Sequence, residues 1–193
     1  MYEVLTNLDT SIFLWINGHH SAGMDEIMLF ASDKLTWIPF YALLGFFIIK
    51  DYGVKTFYVL IFVAFTVFLS DQTSVHLFKD IFMRLRPCHN PSLAAMVRIV
   101  NNHCGGSYGF VSSHAANSFA VAGFLKIVLY NRKKRLHTIL FLWALLIIYS
   151  RVYLGVHYPG DVVAGAVLGY GLGVAAGLVC RRLTGNIEVN ALN

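Results

Sequence analysis

Three short segments, far apart in the sequence, hold most of the side chains that could bind a phosphate group or transfer a proton. They are residues 79–87, 111–114 and 150–161, and they read K-x6-R-P, V-S-S-H and S-R-x5-H-x3-D. Their motif positions supply three fixed cations, two histidines, one carboxylate and a Ser-Ser pair. Fixed positive charges stabilise phosphoryl oxygens, and an imidazole can attack phosphorus or carry a proton. The segments therefore predict phosphoryl transfer through a covalent intermediate.

In the first segment, Lys79 and Arg86 stand seven residues apart. If the preceding apolar helix continues through both, seven residues are two turns, and side chains about 10 Å apart on one face can converge on one anion. Pro87 and the restricted residue before it mark the end of that helix. The same cations could instead only extend to the membrane interface, as Lys and Arg near helix ends commonly do.

In the second segment, Ser112 and Ser113 precede a long apolar run. Either serine could cap the helix, whose free backbone N–H groups then form an anion site. On the serine pair alone, capping without a ligand is the favoured interpretation. His114 favours the functional interpretation, because an imidazole beside such a cap can donate a proton to a leaving oxygen.

In the third segment, Pro159 suits the first turn of a helix and puts Asp161 near its N-terminal end, where a carboxylate is favoured. From there Asp161 can reach back to His157, fix its tautomer and leave the other ring nitrogen free to attack phosphorus. Arg151 can bind two phosphoryl oxygens with its planar guanidinium. A buried His-Asp hydrogen bond that only ties a loop to a helix is the structural alternative.

The elements that must position these segments are membrane helices. Of 193 residues, 57% are hydrophobic and only 13% are charged. Five apolar runs can each be extended to the roughly 20 residues of a spanning helix; they are residues 37–49, 57–70, 115–130, 139–149 and 162–179. We predict an all-α bundle of six helices, in which the sixth, within residues 11–32, is interrupted by polar residues at 17–20 and combines an interfacial helix with part of a span.

The short connections predict a single domain over residues 1–193, and the N-terminus does not have the pattern of a cleaved signal peptide. The formal charge of +5 does not indicate nucleic-acid binding, because the basic residues do not cluster as such a surface would require. The basic run at 132–135 lies in a very short loop, which we place in the cytoplasm. All three motif segments then lie on the opposite face, and a bacterial inner membrane with a periplasmic site is expected.

With these motifs the chain resembles the type 2 phosphatidic acid phosphatase (PAP2) superfamily, whose site design is shared with vanadium haloperoxidases. The family pattern is K-x6-R-P, P-S-G-H and S-R-x5-H-x3-D. The first and third motifs match fully. In the second, Val111 replaces proline and Ser113 replaces glycine, whereas Ser112 and His114 match. Serine is less free than glycine to adopt positive φ, so the backbone at Ser113 is the point of departure.

The resemblance implies a role for each matched residue. His157 would be the nucleophile that forms a phosphohistidine, Asp161 would orient it, and His114 would protonate the leaving group and then activate water. The residues implied to bind phosphate are Lys79, Arg86, Ser112, Ser113 and Arg151. The resemblance implies that neither a metal nor another cofactor is needed, since the cations neutralise the developing charge.

By the same resemblance, the substrate is a lipid phosphate: undecaprenyl diphosphate, phosphatidic acid, phosphatidylglycerol phosphate or lipid A. The small size resembles bacterial members that recycle undecaprenyl diphosphate, and we expect that substrate first. A transporter or flippase that binds a lipid phosphate without cleaving it is the competing hypothesis. A vanadate-dependent haloperoxidase is a more distant one.

The loop at 80–111 contains Cys88, His89, His103 and Cys104. In an oxidising compartment, a disulfide between Cys88 and Cys104 that closes the loop over the site is the preferred interpretation. A zinc site of these four residues is the alternative, although adjacent Cys-His pairs are awkward tetrahedral ligands.

Glycines recur every four residues along the last apolar run and predict close helix packing; they are Gly165, Gly169, Gly173 and Gly177. Packing within the chain is the favoured use, and a homodimer is the alternative. Asp71 and His76 could line the pocket or pair with neighbouring groups, and the sequence assigns them no role.

Overall fold

The structure is a computed structural model that describes residues 2–93, 95–102, 104–130 and 134–185. Its eight α-helices are α1 (Tyr2–Gly18), α2 (Ala22–Ser32), α3 (Ile38–Tyr52), α4 (Thr56–Gln72), α5 (Asp80–Phe82), α6 (Ser113–Val128), α7 (Lys134–Tyr153) and α8 (Pro159–Thr184). A π-helical segment, Thr73–Lys79, joins α4 to α5 without a break. Four 3₁₀ turns lie at Leu35–Trp37, Gly53–Lys55, Pro87–His89 and Val100–Asn102. The described part of the chain contains no β-strand, only one isolated bridge between Leu85 and Tyr108.

The prediction of an all-α membrane bundle is confirmed. The five apolar runs lie in α3, α4, α6, α7 and α8, and six helices of the described chain are 15 residues or longer. Three stretches are long and apolar enough to cross a membrane: Leu35–Phe82, Lys134–Tyr153 and Pro159–Thr184. The first has 48 residues, about 70 Å of helix at roughly 1.5 Å per residue. It turns at Gly53, where φ is +48°, so that α3 and α4 pack side by side.

The polar interruption near the N-terminus is a helix boundary. Helix α1 ends at Gly18 and α2 begins at Ala22, with the Ser21 hydroxyl accepting a hydrogen bond from the Met24 amide. Asn17 is buried and holds this corner, because its side chain bonds the backbone of Arg98 and Tyr153 at 2.8 Å. With 11 residues, α2 is about 16 Å long and too short to span a bilayer.

The glycine stripe of α8 packs against α6 within the chain. A methyl group added at Gly165 would lie 2.7 Å from the carbonyl oxygen of Ser112, and one at Gly169 or Gly173 would collide with the α6 backbone. Close approach buries most of α6, including Phe119 and Phe124. The stripe is therefore used for packing within the chain, which matches the favoured interpretation.

The predicted helix from Lys79 to Arg86 is wrong. The helix continues through Lys79 but ends at Phe82, because Met83 adopts the left-handed conformation with φ of +44°. Arg86 therefore lies in the following loop, in extended backbone ahead of Pro87. The two cations do not share a helix face, and loop packing rather than helical periodicity determines how close they lie.

A disulfide closes that loop. Cys88 and Cys104 are joined, with their Cα atoms 6.3 Å apart. Their sulfurs and the ring of His89 would lie close enough together to hold a metal ion, within 4.8 Å, but His89 directs Nε2 to the carbonyl oxygen of Gly105 at 3.1 Å. The four-residue zinc alternative also requires His103, which lies outside the described residues.

Candidate active site

The three motif segments meet at one end of the bundle. The C-terminal end of the long α4–α5 helix, the N-terminus of α6 and the turn from α7 to α8 all lie there. The backbone amide of Ser112 donates to the carbonyl oxygen of Asp161 at 3.0 Å, which ties the second segment to the third. Lys79 donates to the Ser113 hydroxyl at 2.6 Å, which ties the first to the second.

The His157 imidazole is 1% exposed and lies between Arg86 and Asp161. Arg86 Nη1 is 3.0 Å from Nε2 of the ring. A guanidinium only donates hydrogen bonds, so Nε2 must be the acceptor and the proton of the neutral ring must be on Nδ1. Nδ1 faces the Asp161 Oδ2 at 3.5 Å, longer than a hydrogen bond. Such bonds often shorten only when substrate binds.

Gly109 packs against this histidine and its two neighbours. A methyl group added there would lie 3.0 Å from Asp161 Oδ2, 3.2 Å from Arg86 Cγ and 3.5 Å from His157 Nδ1. Gly109 thus packs against the Nδ1 side of the ring. A side chain there would force these neighbours to shift by a few tenths of an ångström.

The Asp161 carboxylate is fully buried and held on both oxygens. Its Oδ2 accepts a hydrogen bond from the Tyr158 amide at 3.0 Å, which caps the first turn of α8. Its Oδ1 accepts one from Arg84 Nη1 at 2.7 Å. A buried carboxylate with two donors is fixed in orientation, as an aspartate that positions a histidine must be.

Arg84 and Asp9 lie at the site, although the sequence analysis did not select them. Arg84 bridges Asp161 to Asp9 of α1, whose Oδ2 lies 2.7 Å from Nη2, and stacks over the Tyr158 ring with 4.1 Å between guanidinium carbon and centroid. Asp9 also accepts from the Gly160 amide at 2.7 Å. Arg84 lies within the first segment, but it occupies an unspecified position of the K-x6-R-P motif, so the motif did not select it. No spacing in the sequence connects Asp9 to the site.

Lys79 and the two serines line the same end. Ser112 is the N-cap of α6, with its hydroxyl 3.5 Å from the Ala115 amide. Ser113 is the first residue of the helix and has no positive φ, so serine in place of the family's glycine needs no strained backbone. Its hydroxyl contacts Lys79 and, at 2.6 Å, the hydroxyl of Ser74.

Arg151 and His114 complete the cluster. Arg151 is hydrogen-bonded through Nη1 to Ser32, while its Nε is buried without a partner. His114, the second residue of α6, lies within electrostatic range of Arg151, Arg86 and His157. The Nε of Arg86 is likewise buried and unpartnered. Two such guanidinium groups beside one imidazole have N–H donors to offer to an anion.

Burial and the neighbouring positive charges together disfavour protonation of His157. Burial lowers the pKa of His157 well below its ordinary value, and the neighbouring charges of Arg86 and Arg151 act in the same direction. Burial also lowers the pKa of Arg86, although it remains a cation at neutral pH. His157 is therefore a neutral imidazole at physiological pH, which is the protonation state of a nucleophile.

The sequence assigned no role to Asp71 and His76, and the structure places them in different surroundings. His76 is exposed and pairs with Asp80 at 3.0 Å and Gln72 at 3.2 Å. Asp71 accepts a hydrogen bond from the Asn117 amide at 3.2 Å and lines a cavity beside Ser113. Only Asp71 is thus placed next to the site.

Two curated proteins of known name are similar to this chain. One is the lipid A 4′-phosphatase of Bacteroides thetaiotaomicron, 39% identical over 97% of this chain and 84% of that protein. Another is the lipid A 4′-phosphatase of Porphyromonas gingivalis, 31% identical over 86% of this chain and 70% of that protein.

Two crystal structures share the fold. Aquifex aeolicus LpxE has a TM-score of 0.62 and 24% identity, with 91% of this chain and 95% of that chain covered. A PAP2-type phosphatidylglycerolphosphate phosphatase from Bacillus subtilis has a TM-score of 0.63 and 20% identity, with 98% and 90% covered. The sequence profile of the PAP2 superfamily matches residues 37–183, which contain all three motif segments. The chain belongs to the PAP2 superfamily.

Proposed function

We propose that this protein is a membrane lipid phosphatase that removes the 4′-phosphate of lipid A. The observation that carries the proposal is the neutral His157 ring, buried between Arg86 and Asp161 at the end of the bundle where all three motif segments meet. The names of the relatives from Bacteroides thetaiotaomicron and Porphyromonas gingivalis support lipid A as substrate. Undecaprenyl diphosphate, which the sequence analysis put first, has no such support and becomes a comparison substrate.

In the first step, the substrate phosphate replaces His157 as the partner of Arg86. The freed Nε2 lone pair attacks phosphorus, so that the N–P bond forms as the bond from phosphorus to the sugar oxygen breaks. Arg86, Arg151 and Lys79 stabilise the charge on the phosphoryl oxygens. Once the negative charge of the bound phosphate offsets the nearby cations, the protonated His114 donates its proton to the leaving oxygen, and Asp161 stabilises the positive charge that develops on the His157 ring.

In the second step, water attacks the phosphohistidine. His114, now neutral, accepts a proton from the water, the N–P bond breaks and inorganic phosphate leaves with His157 restored. The protein side chains supply every charge and proton transfer in this scheme. A metal ion has no role in it.

The site is proposed to face the periplasm from the inner membrane. Helix α6 ends at Val128 and α7 begins at Lys134, both at the end of the bundle away from the motifs. The sequence between them is short and basic, and short basic loops favour the cytoplasm. Residues 1–193 act as one domain in this proposal, since Asp9 of α1 contacts Arg84 and Gly160 beside the catalytic aspartate.

A carrier that binds lipid phosphate without hydrolysis is the competing function. No relative supports it, and a carrier has no need of a nucleophile held in one tautomer. The two functions can be distinguished by removing the His157 imidazole. A carrier that still binds phosphate should continue to move lipid, whereas a phosphatase should lose turnover.

The test is phosphate release by the purified protein in detergent from lipid A, undecaprenyl diphosphate, phosphatidic acid and phosphatidylglycerol phosphate, each with and without EDTA. We expect the fastest release from lipid A and no effect of the chelator. His157→Gln should lower turnover at least about 10³-fold, as loss of a nucleophile does, yet still bind inorganic phosphate. Release from none of the four lipids by folded protein would reject the phosphatase, and inhibition by EDTA would reject the metal-free mechanism.

A further inference from the structure

A cavity of about 650 Å³ opens beside the active site, within the roughly 300–1,000 Å³ typical of ligand pockets. Its lining comes from the end of α2, the segment before α3, and helices α3, α4, α6 and α7. Ser113 and His114 stand at the active-site end. Ile48, Leu60 and Leu125 are the lining residues farthest from that end along their helices. The cavity therefore starts at the catalytic groups and follows the helices into the membrane.

The depth of the cavity matches one leaflet. From Ser113 to Leu125 on α6 is about 18 Å at roughly 1.5 Å per residue. The lining of α4, from Asp71 to Leu60, covers a similar distance. Half of the roughly 30 Å hydrocarbon core is about 15 Å. A chain that begins at the catalytic end would thus reach the middle of the bilayer.

The deep walls are apolar, and the charged groups lie near the entrance. Leu44, Val63 and Val121 are typical of the deep lining. Its charged members, Asp33, Lys34 and Asp71, belong to the end near His114. A lining of this kind suits a hydrocarbon chain attached to a polar head.

Asp71 adds a specific acceptor near the entrance. Asn117, one helical turn after Ser113 on α6, donates a hydrogen bond to Oδ1 of Asp71, and no hydrogen bond to the other carboxylate oxygen is seen among the described residues. A carboxylate has about four acceptor positions, and one within a membrane helix is costly unless they are used. A hydroxyl or amide N–H close to the head of a bound chain would use them.

We infer that this cavity holds one acyl chain of the lipid substrate, of single-leaflet length, and that Asp71 accepts a hydrogen bond from a hydroxyl or amide N–H near the head of that chain. The inference rests on the proposed function and refines its substrate class. A polyprenyl chain has no such donor and is far longer than one leaflet, so the cavity favours an amide-linked or hydroxylated acyl lipid.

The first test fills the cavity. Gly45 lines it and has no atom within 4 Å of an added methyl group, whereas Gly171 has equally open surroundings on the lipid-facing side of α8. Gly45→Phe should raise the KM for a phosphoglycolipid with long acyl chains about tenfold through lost chain burial. Its kcat/KM for p-nitrophenyl phosphate, which has no chain, should stay within about twofold, and Gly171→Phe should change neither. Equal behaviour of the two variants with the long-chain lipid would overturn the inference.

A photolabelling experiment locates the chain without requiring turnover. A phosphoglycolipid with a diazirine at the end of one acyl chain should label Ile48 or Leu125, two buried residues of the deep lining, in the wild-type protein. Labelling confined to lipid-facing residues such as Phe65 or Phe141 would overturn the inference even if phosphate is released. Labelling of the cavity without phosphate release would instead reject the proposed function but support the cavity as a binding site for an acyl chain.

The acceptor is tested with two matched lipids, one with a 3-hydroxyacyl chain and one with a plain acyl chain. The wild-type protein should have a lower KM for the hydroxylated lipid, by about threefold to tenfold for one hydrogen bond. Asp71→Leu should remove that preference while it retains the long-chain preference. A wild-type protein indifferent to the hydroxyl would overturn the role of Asp71.

Discussion

At the residue scale, the site depends on one imidazole whose surroundings determine its protonation. Arg86 can only donate, so the Nε2 of His157 accepts, and Nδ1 carries the proton toward Asp161. Burial and nearby cations oppose a second proton on the ring. The same cations that would bind the phosphate therefore also keep the nucleophile neutral.

This predicts the acid limb of the pH–rate profile. A histidine whose pKa is lowered stays neutral until the pH falls through that lowered value, so activity should persist below about 6.5, where an ordinary histidine would already be protonated. The measurement is log(kcat/KM) against pH with two substrates whose phosphate groups differ in pKa. If the midpoint of the acid limb differs between the two substrates, the limb reports titration of the substrate phosphate rather than of the enzyme. An enzyme limb at or above 6.5 would contradict the environment described for His157.

At the element scale, α1 is part of the active site. Its Asp9 holds Arg84 and the Gly160 amide, and Arg84 in turn holds Asp161. The family profile begins at residue 37, so this support comes from a part of the chain outside it. An N-terminal helix thus contributes to the position of the aspartate behind the nucleophile.

Arg84→Gln should lower kcat about 10²-fold with little change in KM, because Arg84 orients Asp161 and does not contact the phosphate. Asp9→Asn should have a smaller effect in the same direction. Acid-quench trapping of the phosphohistidine should locate the loss in the first chemical step. Arg98→Gln is the matched control, since Arg98 pairs with Asp25 and touches no residue of the site. An equal loss of kcat in the control would show a general effect on stability rather than positioning.

At the scale of the whole molecule, the motif segments and the basic turns that carry no motif lie at opposite ends of the bundle. The motif segments, the disulfide loop and the cavity entrance lie at one end, whereas the turn at Gly53–Lys55 and the end of α8 with Arg181 and Arg182 lie at the other. Short basic segments are retained in the cytoplasm. The architecture therefore predicts which end of the molecule faces outward.

Cysteine labelling in intact cells checks this orientation. Met96 is exposed in the loop at the motif end, and Val54 is 95% exposed at the opposite end. A membrane-impermeant maleimide should label Met96→Cys in intact cells whose outer membrane is permeable, and Val54→Cys only after the inner membrane is disrupted. The reverse pattern would place the catalytic end in the cytoplasm.

The sequence by itself determined the class of the protein, the helical bundle and the residue types of the site. Apolar runs must become helices in a membrane, because every backbone group must be paired there. Motif spacing indicates which side chains have the chemistry to act on one phosphate. It was wrong about the path from Lys79 to Arg86, because the left-handed turn at Met83 depends on loop packing. Only the tertiary structure decided two features: the contacts of Asp9 and Arg84 that hold Asp161, and the cavity next to Ser113. Both form between segments distant in sequence, and such contacts leave no periodic pattern in the sequence.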